Sequence, residues 1–170
     1  MEIYALQGVS NTGKSTTLKL LFLEILEKYF DKIEEVREKS VGICDKKQAL
    51  DKIKAQIFKE SKFEENSYVE NINYSVKING KIITVASAGD SEKEVSEAVA
   101  WFEKTGCDIG FCAVRTKGNG VELLTQKGAA FIKKAHLTNA TDWSKFKETA
   151  YSLDIWQAKN GLLPLATQLI

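Results

Sequence analysis

The feature that most constrains the fold is a glycine-rich segment near the amino terminus, Gly8-Val9-Ser10-Asn11-Thr12-Gly13-Lys14-Ser15. An apolar run at residues 3–6 precedes it, and residues 14–30 carry apolar side chains at helical spacing. A buried strand, a tight loop and a helix are therefore predicted in that order. The glycines of such a loop let the backbone curl so that successive amides point inward, and the helix adds the positive end of its dipole. The arrangement predicts a binding site for an anion.

The same segment matches the pattern G-x-x-x-x-G-K-[ST] at every defined position, and in this it resembles the phosphate-binding loop of the P-loop NTPase superfamily. The resemblance implies that Lys14 bridges the β- and γ-phosphates of a nucleoside triphosphate, that Ser15 ligates Mg²⁺ and that Thr16 contacts the α-phosphate. The implied cofactors are ATP, or GTP, and Mg²⁺. The residues predicted to bind the nucleotide here are Gly8, Val9, Ser10, Asn11, Thr12, Gly13, Lys14, Ser15 and Thr16.

Strand and helix patterns alternate along the rest of the chain. Residues 72–78 alternate apolar and polar side chains, Asn79-Gly80 is typical of a two-residue hairpin turn, and residues 81–86 return as a buried strand. Residues 108–114 form a further buried strand. The order predicts an α/β fold, a three-layer α/β/α P-loop fold whose mostly parallel sheet carries one antiparallel edge hairpin. The length of 170 residues suits a single P-loop NTPase domain over residues 1–170.

Other parts of the chain give weaker patterns, most of all residues 31–65. The remaining predictions are a short strand at residues 41–44, a helix through residues 49–57, a helix running from Val121 to Ile132, a short strand at residues 135–137, an N-cap at Asp142, a helix stop at Asn160-Gly161 and a first-turn proline at Pro164.

A second set of site residues follows the predicted hairpin, in the turn Ser87-Ala88-Gly89-Asp90. P-loop proteins place an acid at the end of a strand beside the phosphate loop, where it holds Mg²⁺ through a water or orients the nucleophile. The first acid here is Asp90, and we expect it to hold the metal or act as a base, with Ser87 helping to coordinate Mg²⁺ or its waters. The alternative is that Asp90 only favours the amino end of the next helix, whose predicted capping box is residues 91–94.

A third set lies in the turn Arg115-Thr116-Lys117-Gly118-Asn119-Gly120, which follows a buried strand on the predicted site side of the sheet. Arg115 is one of only two arginines in the chain. An arginine there could stabilise charge on a transferred phosphoryl group, and Lys117 could assist it or stack on a base. The alternative is an ordinary solvated turn. Lys14, Asp90 and Arg115 are thus the predicted catalytic residues, and Lys117 joins the cofactor-binding set.

Two of these segments together resemble a narrower group of proteins. The sequence Cys-Asp-Ile-Gly-Phe-Cys-Ala-Val-Arg-Thr-Lys-Gly at residues 107–118, taken with Ser-Ala-Gly-Asp at residues 87–90, is similar to small bacterial P-loop proteins without an assigned function. This resemblance supports the predicted site and identifies no substrate.

Charge and cysteine content argue against several classes of function. With 24 Lys plus Arg and 23 Asp plus Glu, the formal net charge is +1, so no nucleic acid or membrane partner is expected. Three cysteines without a CxxC pair and a single histidine argue against structural zinc, and free thiols favour a cytoplasmic location. No apolar stretch reaches the ~18 residues of a membrane span, and no signal-peptide pattern opens the chain. The sequence predicts no oligomeric state.

Three functions fit these residues. The first is an ATPase or a small phosphotransferase acting on a nucleotide or another small molecule, although two arginines are few for a nucleoside-monophosphate kinase. The second is a GTPase-like switch. Against it stand Ala86, where an Asp-x-x-Gly motif ending at Gly89 needs aspartate, and Asn119, where a guanine-reading Thr-Lys-x-Asp needs a carboxylate. The third is a regulatory ATP-binding protein with slow or no hydrolysis. We expect a Mg²⁺-dependent nucleoside-triphosphate-binding protein, with ATP preferred because the guanine motif is missing.

Overall fold

A computed structural model of the protein describes residues 1–61, 70–136, 143–168 and 170, and it describes only the backbone of residues 143–146. The strands are β1 Glu2–Gln7, β2 Ile33–Glu38, β3 Gly42–Cys44, β4 Asn73–Ile78, β5 Lys81–Ala86, β6 Ile109–Val114 and β7 Ala130–Lys133. The α-helices are α1 Lys14–Lys28, α2 Lys46–Ser61, α3 Glu92–Thr105, α4 Asn119–Gln126, α5 Trp143–Gln157 and α6 Leu163–Thr167. A 3-10 turn, Phe30–Lys32, follows α1, and a π-helical turn, Ala158–Leu162, joins α5 to α6. The chain therefore has an α/β fold.

The strands form one seven-stranded sheet in the order β3-β2-β4-β5-β6-β1-β7. β1 pairs in parallel with β6 and β7, and β5 pairs in parallel with β6. The pairs β2–β3, β2–β4 and β4–β5 are antiparallel. The expected mostly parallel sheet with a single edge hairpin is corrected to a mixed sheet. The reason is β2, which the sequence patterns did not predict. β2 pairs antiparallel with both β4 and β3, so the antiparallel part of the sheet is wider than the predicted hairpin.

Helices cover both faces of the parallel half because successive strand residues point to opposite faces. On one face, β5 and β6 residues such as Ile83, Val85 and Phe111 pack with α1, α2 and α6 in the larger core. On the other face, Ala86, Cys112 and neighbouring residues pack with α3 and α4 in a smaller core. The carboxyl ends of β1, β5 and β6 consequently emerge together at one edge, between the two helical layers. Within the described ranges, every helix is too short or too polar to cross a lipid bilayer.

Most local predictions are confirmed. Asn79 and Gly80 both have positive φ and close the hairpin between β4 and β5. The capping box is present: Glu94 N–H donates to the Ser91 hydroxyl, and Ser91 N–H donates to the Glu94 carboxylate. The strand predicted at residues 41–44, the helix through residues 49–57 and the first-turn Pro164 are also present.

In the carboxyl-terminal third of the chain, the structure differs more from the predicted elements. The helix predicted from Val121 to Ile132 ends at Gln126, because Gly128 has positive φ and turns the chain into β7. Ile132 therefore lies in a strand, and residues 135 and 136 of the predicted last strand lie after it. The predicted stop at Asn160-Gly161 is a π-helical turn that continues into α6. Leu137 and Asp142 lie outside the described residues.

Candidate functional site

A pocket of about 210 Å³ opens at the carboxyl ends of the parallel strands. It is lined by Asn11, Thr12, Gly13, Lys14, Ser15, Thr16, Asn71, Ser87, Gly89, Asp90 and Ala113. The first six follow β1, the next one precedes β4, three follow β5 and the last belongs to β6. Gly8, Val9 and Ser10, which were predicted as part of the nucleotide site, belong to the same loop but do not line this pocket.

The loop between β1 and α1 curls so that the backbone N–H groups at its carboxyl end have no acceptor among the described residues. Asn11 and Gly13 have φ of 60° and 83°, and Gly13 is the residue before the first turn of α1. Among the described residues, no acceptor takes the N–H groups of Gly13, Lys14, Ser15 or Thr16. No acidic side chain in the first turn of α1 neutralises them either. Four donors at the positive end of a helix dipole therefore line the pocket, and such a concave set of amides binds anions.

Lys14 lies over this loop and is only 6% exposed. Its Nζ donates to the carbonyl oxygens of Gly8 at 3.0 Å and Val9 at 2.8 Å. The same Nζ lies 3.4 Å from Oδ1 of Asp90. The one buried ammonium of the loop is therefore at the mouth of the amide-lined hollow, where it can contact an anion bound to those amides.

Asp90 comes to the pocket because the turn after β5 lies against the end of β6. Its side chain is 60% exposed and faces Lys14. Capping of α3 is performed by Ser91 and Glu94, and the Glu94 carboxylate also accepts the Asp90 N–H at 2.8 Å. The Asp90 carboxylate is therefore not the cap of α3, and it lies beside Lys14. Its role at the site stays a prediction.

Ser15 and Ser87 are joined by a residue that the sequence did not single out. Both hydroxyls donate to Oδ1 of Asn71, at 3.2 Å and 3.3 Å. The Ser87 hydroxyl, which is buried, also accepts the Ile72 N–H at 2.8 Å. Asn71 precedes β4, and because β4 runs antiparallel to β5, its amino end lies beside the carboxyl end of β5. A rule that searches only the carboxyl ends of strands misses this residue.

These side chains provide oxygen donors of the kind that Mg²⁺ takes. Ser15, Asn71, Ser87 and Asp90 supply two hydroxyls, one amide and one carboxylate around one pocket. No group of three or more His, Cys, Asp or Glu that could hold a metal ion occurs in the part of the chain that the structure describes. Mg²⁺ in nucleotide sites commonly keeps several waters and completes its shell with phosphate oxygens, so few protein carboxylates are needed. The donor set fits Mg²⁺ bound together with a polyphosphate.

Thr16 and the predicted site residues of the turn at 115–120 are less clearly part of the pocket. The Thr16 hydroxyl donates to Glu60 at 3.3 Å, and Glu60 also forms an ion pair with the buried Lys19. Arg115 and Lys117 are exposed and do not line the pocket. Arg115 directly follows Val114, whose carbonyl accepts the Gly8 N–H at 3.1 Å, so the turn flanks the start of the loop between β1 and α1.

A buried ion pair packs against the loop between β1 and α1. Lys134, just after β7, and Asp154, on α5, lie 2.8 Å apart and are 1% and 7% exposed. A Cβ added to Gly8 would lie 3.0 Å from the Lys134 Cβ, and one added to Gly13 would lie 2.5 to 2.9 Å from the Asp154 carboxylate atoms. Burial raises the pKa of Asp154 to about 6, although the Lys134 ammonium and the Thr17 hydroxyl act to lower it. Neither charge was predicted as part of the site.

The comparisons with known proteins add no relative. No protein-family model, no curated protein and no solved structure matches the chain. The function of the protein is therefore inferred from the geometry of the pocket.

Proposed function

We propose that the protein binds a nucleoside triphosphate together with Mg²⁺ in this pocket. The observation that carries the proposal is the set of four unpartnered N–H groups, from Gly13 to Thr16, beside the buried ammonium of Lys14. Donors that have no protein acceptor and converge at a helix amino end favour a phosphate chain over a neutral ligand. In this proposal Lys14 contacts the β- and γ-phosphates, Ser15 binds Mg²⁺ and Thr16 contacts the α-phosphate. The fold is proposed to be the three-layer α/β/α fold of P-loop NTPases, adapted to a mixed sheet.

We infer further that the protein transfers the γ-phosphoryl group, as a small phosphotransferase or an ATPase. Asp90 lies at the pocket mouth beside Lys14, where it can hold Mg²⁺ through a water or take a proton from the attacking hydroxyl or water. Ser87 and Asn71 fix the Ser15 hydroxyl, and Arg115 would approach the phosphates from the flanking turn. The acceptor would be water, a nucleotide or another small molecule. The absence of a nucleic-acid or membrane partner and the cytoplasmic location stay predictions.

A regulatory ATP-binding protein is the second candidate. Asp90 is the one carboxylate among the residues that line the described pocket, and it is largely exposed. A single solvated acid is consistent with slow hydrolysis. A GTPase-like switch is less well supported, since the Asn119 side chain donates to Glu92 at 2.8 Å and Ala86 is buried in the smaller core. Direct competition between ATP and GTP for binding would separate the switch from the other two functions.

Replacing Asp90 by asparagine tests the catalytic part of the proposal. We expect single-turnover hydrolysis of MgATP, measured with and without nucleoside-monophosphate acceptors, to slow by about 100-fold, because the base or metal holder is lost. Binding of MgATP should change much less. Glu92→Gln is the matched control, since Glu92 is also an acid at the start of α3 but lies outside the pocket. Equal rates for Asp90→Asn and the wild type would contradict a catalytic role for Asp90, and equal rates at the uncatalysed background would favour the regulatory protein.

A further inference from the structure

The buried pair Lys134–Asp154 is placed where its charges act on the loop without touching its ligand. Asp154 packs against Gly13, the same residue whose N–H belongs to the unpartnered set. The Lys134 stem packs against Gly8, at the other end of the loop. The Asp154 carboxylate therefore contacts a residue that lines the pocket, and the Lys134 ammonium lies 2.8 Å from that carboxylate.

The pair is held rigidly in this position. Gln157, also on α5, accepts the Ala135 N–H and donates to the Lys133 carbonyl, both at 2.8 Å. The Lys134 ammonium also donates to the Ala135 carbonyl. The backbone on both sides of Lys134 is thus tied to α5, and the Lys134 and Asp154 side chains are buried. Buried charges are poorly screened by salt, so their effect on a nearby anion persists where surface charges would lose theirs.

Resting on the proposed function, we propose that the Lys134–Asp154 pair sets the affinity of the loop for polyphosphate. The Lys134 ammonium favours the bound anion, and the Asp154 carboxylate opposes it. Neither residue lines the pocket, so both act on the bound anion through their charges and not by contact. The carboxylate thereby keeps the loop from retaining a phosphate chain as tightly as its amides and Lys14 would allow, which favours release of a phosphorylated product.

The proposal predicts that replacing one member of the ion pair lowers the Kd for polyphosphate and that replacing the other raises it. At pH 8, Asp154→Asn removes the opposing charge, so the Kd for inorganic tripolyphosphate should fall on the order of tenfold. Lys134→Met keeps most of the stem that packs on Gly8 but removes the ammonium, so the Kd should rise by a similar factor. The double variant Lys134→Met/Asp154→Asn has no buried charge and should bind like the wild type. Isothermal titration calorimetry measures all four proteins under the same conditions.

The controls separate this proposal from a purely structural role and from failure of the proposed function. Asp108→Asn makes the same change at a carboxylate paired with Lys81, beyond the opposite end of β6, and should leave the Kd unchanged. If both single variants bind more weakly, the pair only holds the loop in shape and the proposal is overturned. Should Asp154→Asn fail to fold, the double variant still decides, because it must bind more tightly than Lys134→Met. If the wild type itself binds no tripolyphosphate, the proposed function is contradicted as well.

Discussion

Replacing Lys14 by alanine is expected to weaken the binding of MgATP by about 100-fold, equivalent to ~3 kcal/mol. The reason is that Lys14 is the only side-chain cation among the residues lining the described pocket, and its Nζ already lies among the loop carbonyls and Asp90. A bound triphosphate would keep the four amide donors but lose the one charged donor that lines the pocket. Calorimetric titration with MgATP checks the change in affinity.

Lys28→Ala is the appropriate control for Lys14→Ala. Lys28 is an exposed lysine in the last turn of the same helix, so its loss changes the net charge equally without touching the loop. The melting temperature of Lys14→Ala should rise little on adding MgATP, whereas that of Lys28→Ala should rise as in the wild type, because only a ligand bound to the native state stabilises it. If MgATP raised the melting temperature of Lys14→Ala as much as that of the wild type, ATP would bind at a site other than this loop.

Gly89→Ala should have the largest effect on stability and also disturb the site. A Cβ on Gly89 would overlap the backbone carbonyl of Ala113 in β6, and a backbone group cannot rotate out of the way. The turn carrying Asp90 must therefore move off the sheet. We expect a loss of ~3 kcal/mol in the free energy of unfolding, a drop of roughly 10 °C in Tm and separation of Asp90 from Lys14.

Gly128→Ala distinguishes this close approach from the general cost of replacing a glycine. Gly128 has a φ of 72°, but a Cβ there would meet nothing within 4 Å. Its replacement should cost only about 1 kcal/mol through backbone strain and leave nucleotide binding intact. Thermal unfolding and MgATP titration of the two variants give the comparison. Equal stability losses, with binding retained in both, would mean that the turn of residues 87–90 does not depend on its contact with β6.

The glycine-rich loop before α1 and the place of Asp90 beside it were predictable because their signals are local. Glycine spacing, the apolar strand before the loop and the apolar helix after it place the amides of residues 13–16 without knowledge of distant contacts. Asp90 follows from one further rule, that parallel strands end at a common edge. The structure places Asp90 3.4 Å from Lys14, as that rule requires.

The antiparallel half of the sheet was not predictable in the same way. In β2 only Ile33 and Val36 are buried, three residues apart, and the register shifts between Ile33 and Glu35. An irregularity of this kind breaks the period of two on which strand prediction depends. β7 is a four-residue strand with no fully buried side chain, so it lacks the pattern as well. Without β2 the sheet was predicted to be mostly parallel, whereas β7, which pairs in parallel with β1, only adds a strand to the parallel half.

Parts of the site were missed for a related reason. Asn71 reaches the pocket only because β4 runs antiparallel to β5, and that direction cannot be read from Asn71 itself. Lys134 and Asp154 are twenty positions apart and resemble solvated charges in a sequence rich in Lys and Glu. Only the packing of α5 beneath the loop shows that both are buried.

The central claim is that free backbone amides at the start of α1 hold the phosphates of a nucleoside triphosphate. A titration of ¹⁵N-labelled protein with ATP and Mg²⁺, followed in ¹H–¹⁵N correlation spectra, observes those amides directly. We predict that the resonances of Gly13, Lys14, Ser15 and Thr16 shift most and saturate together. Saturating nucleotide that leaves these four resonances in place, whether or not others move, would contradict the account.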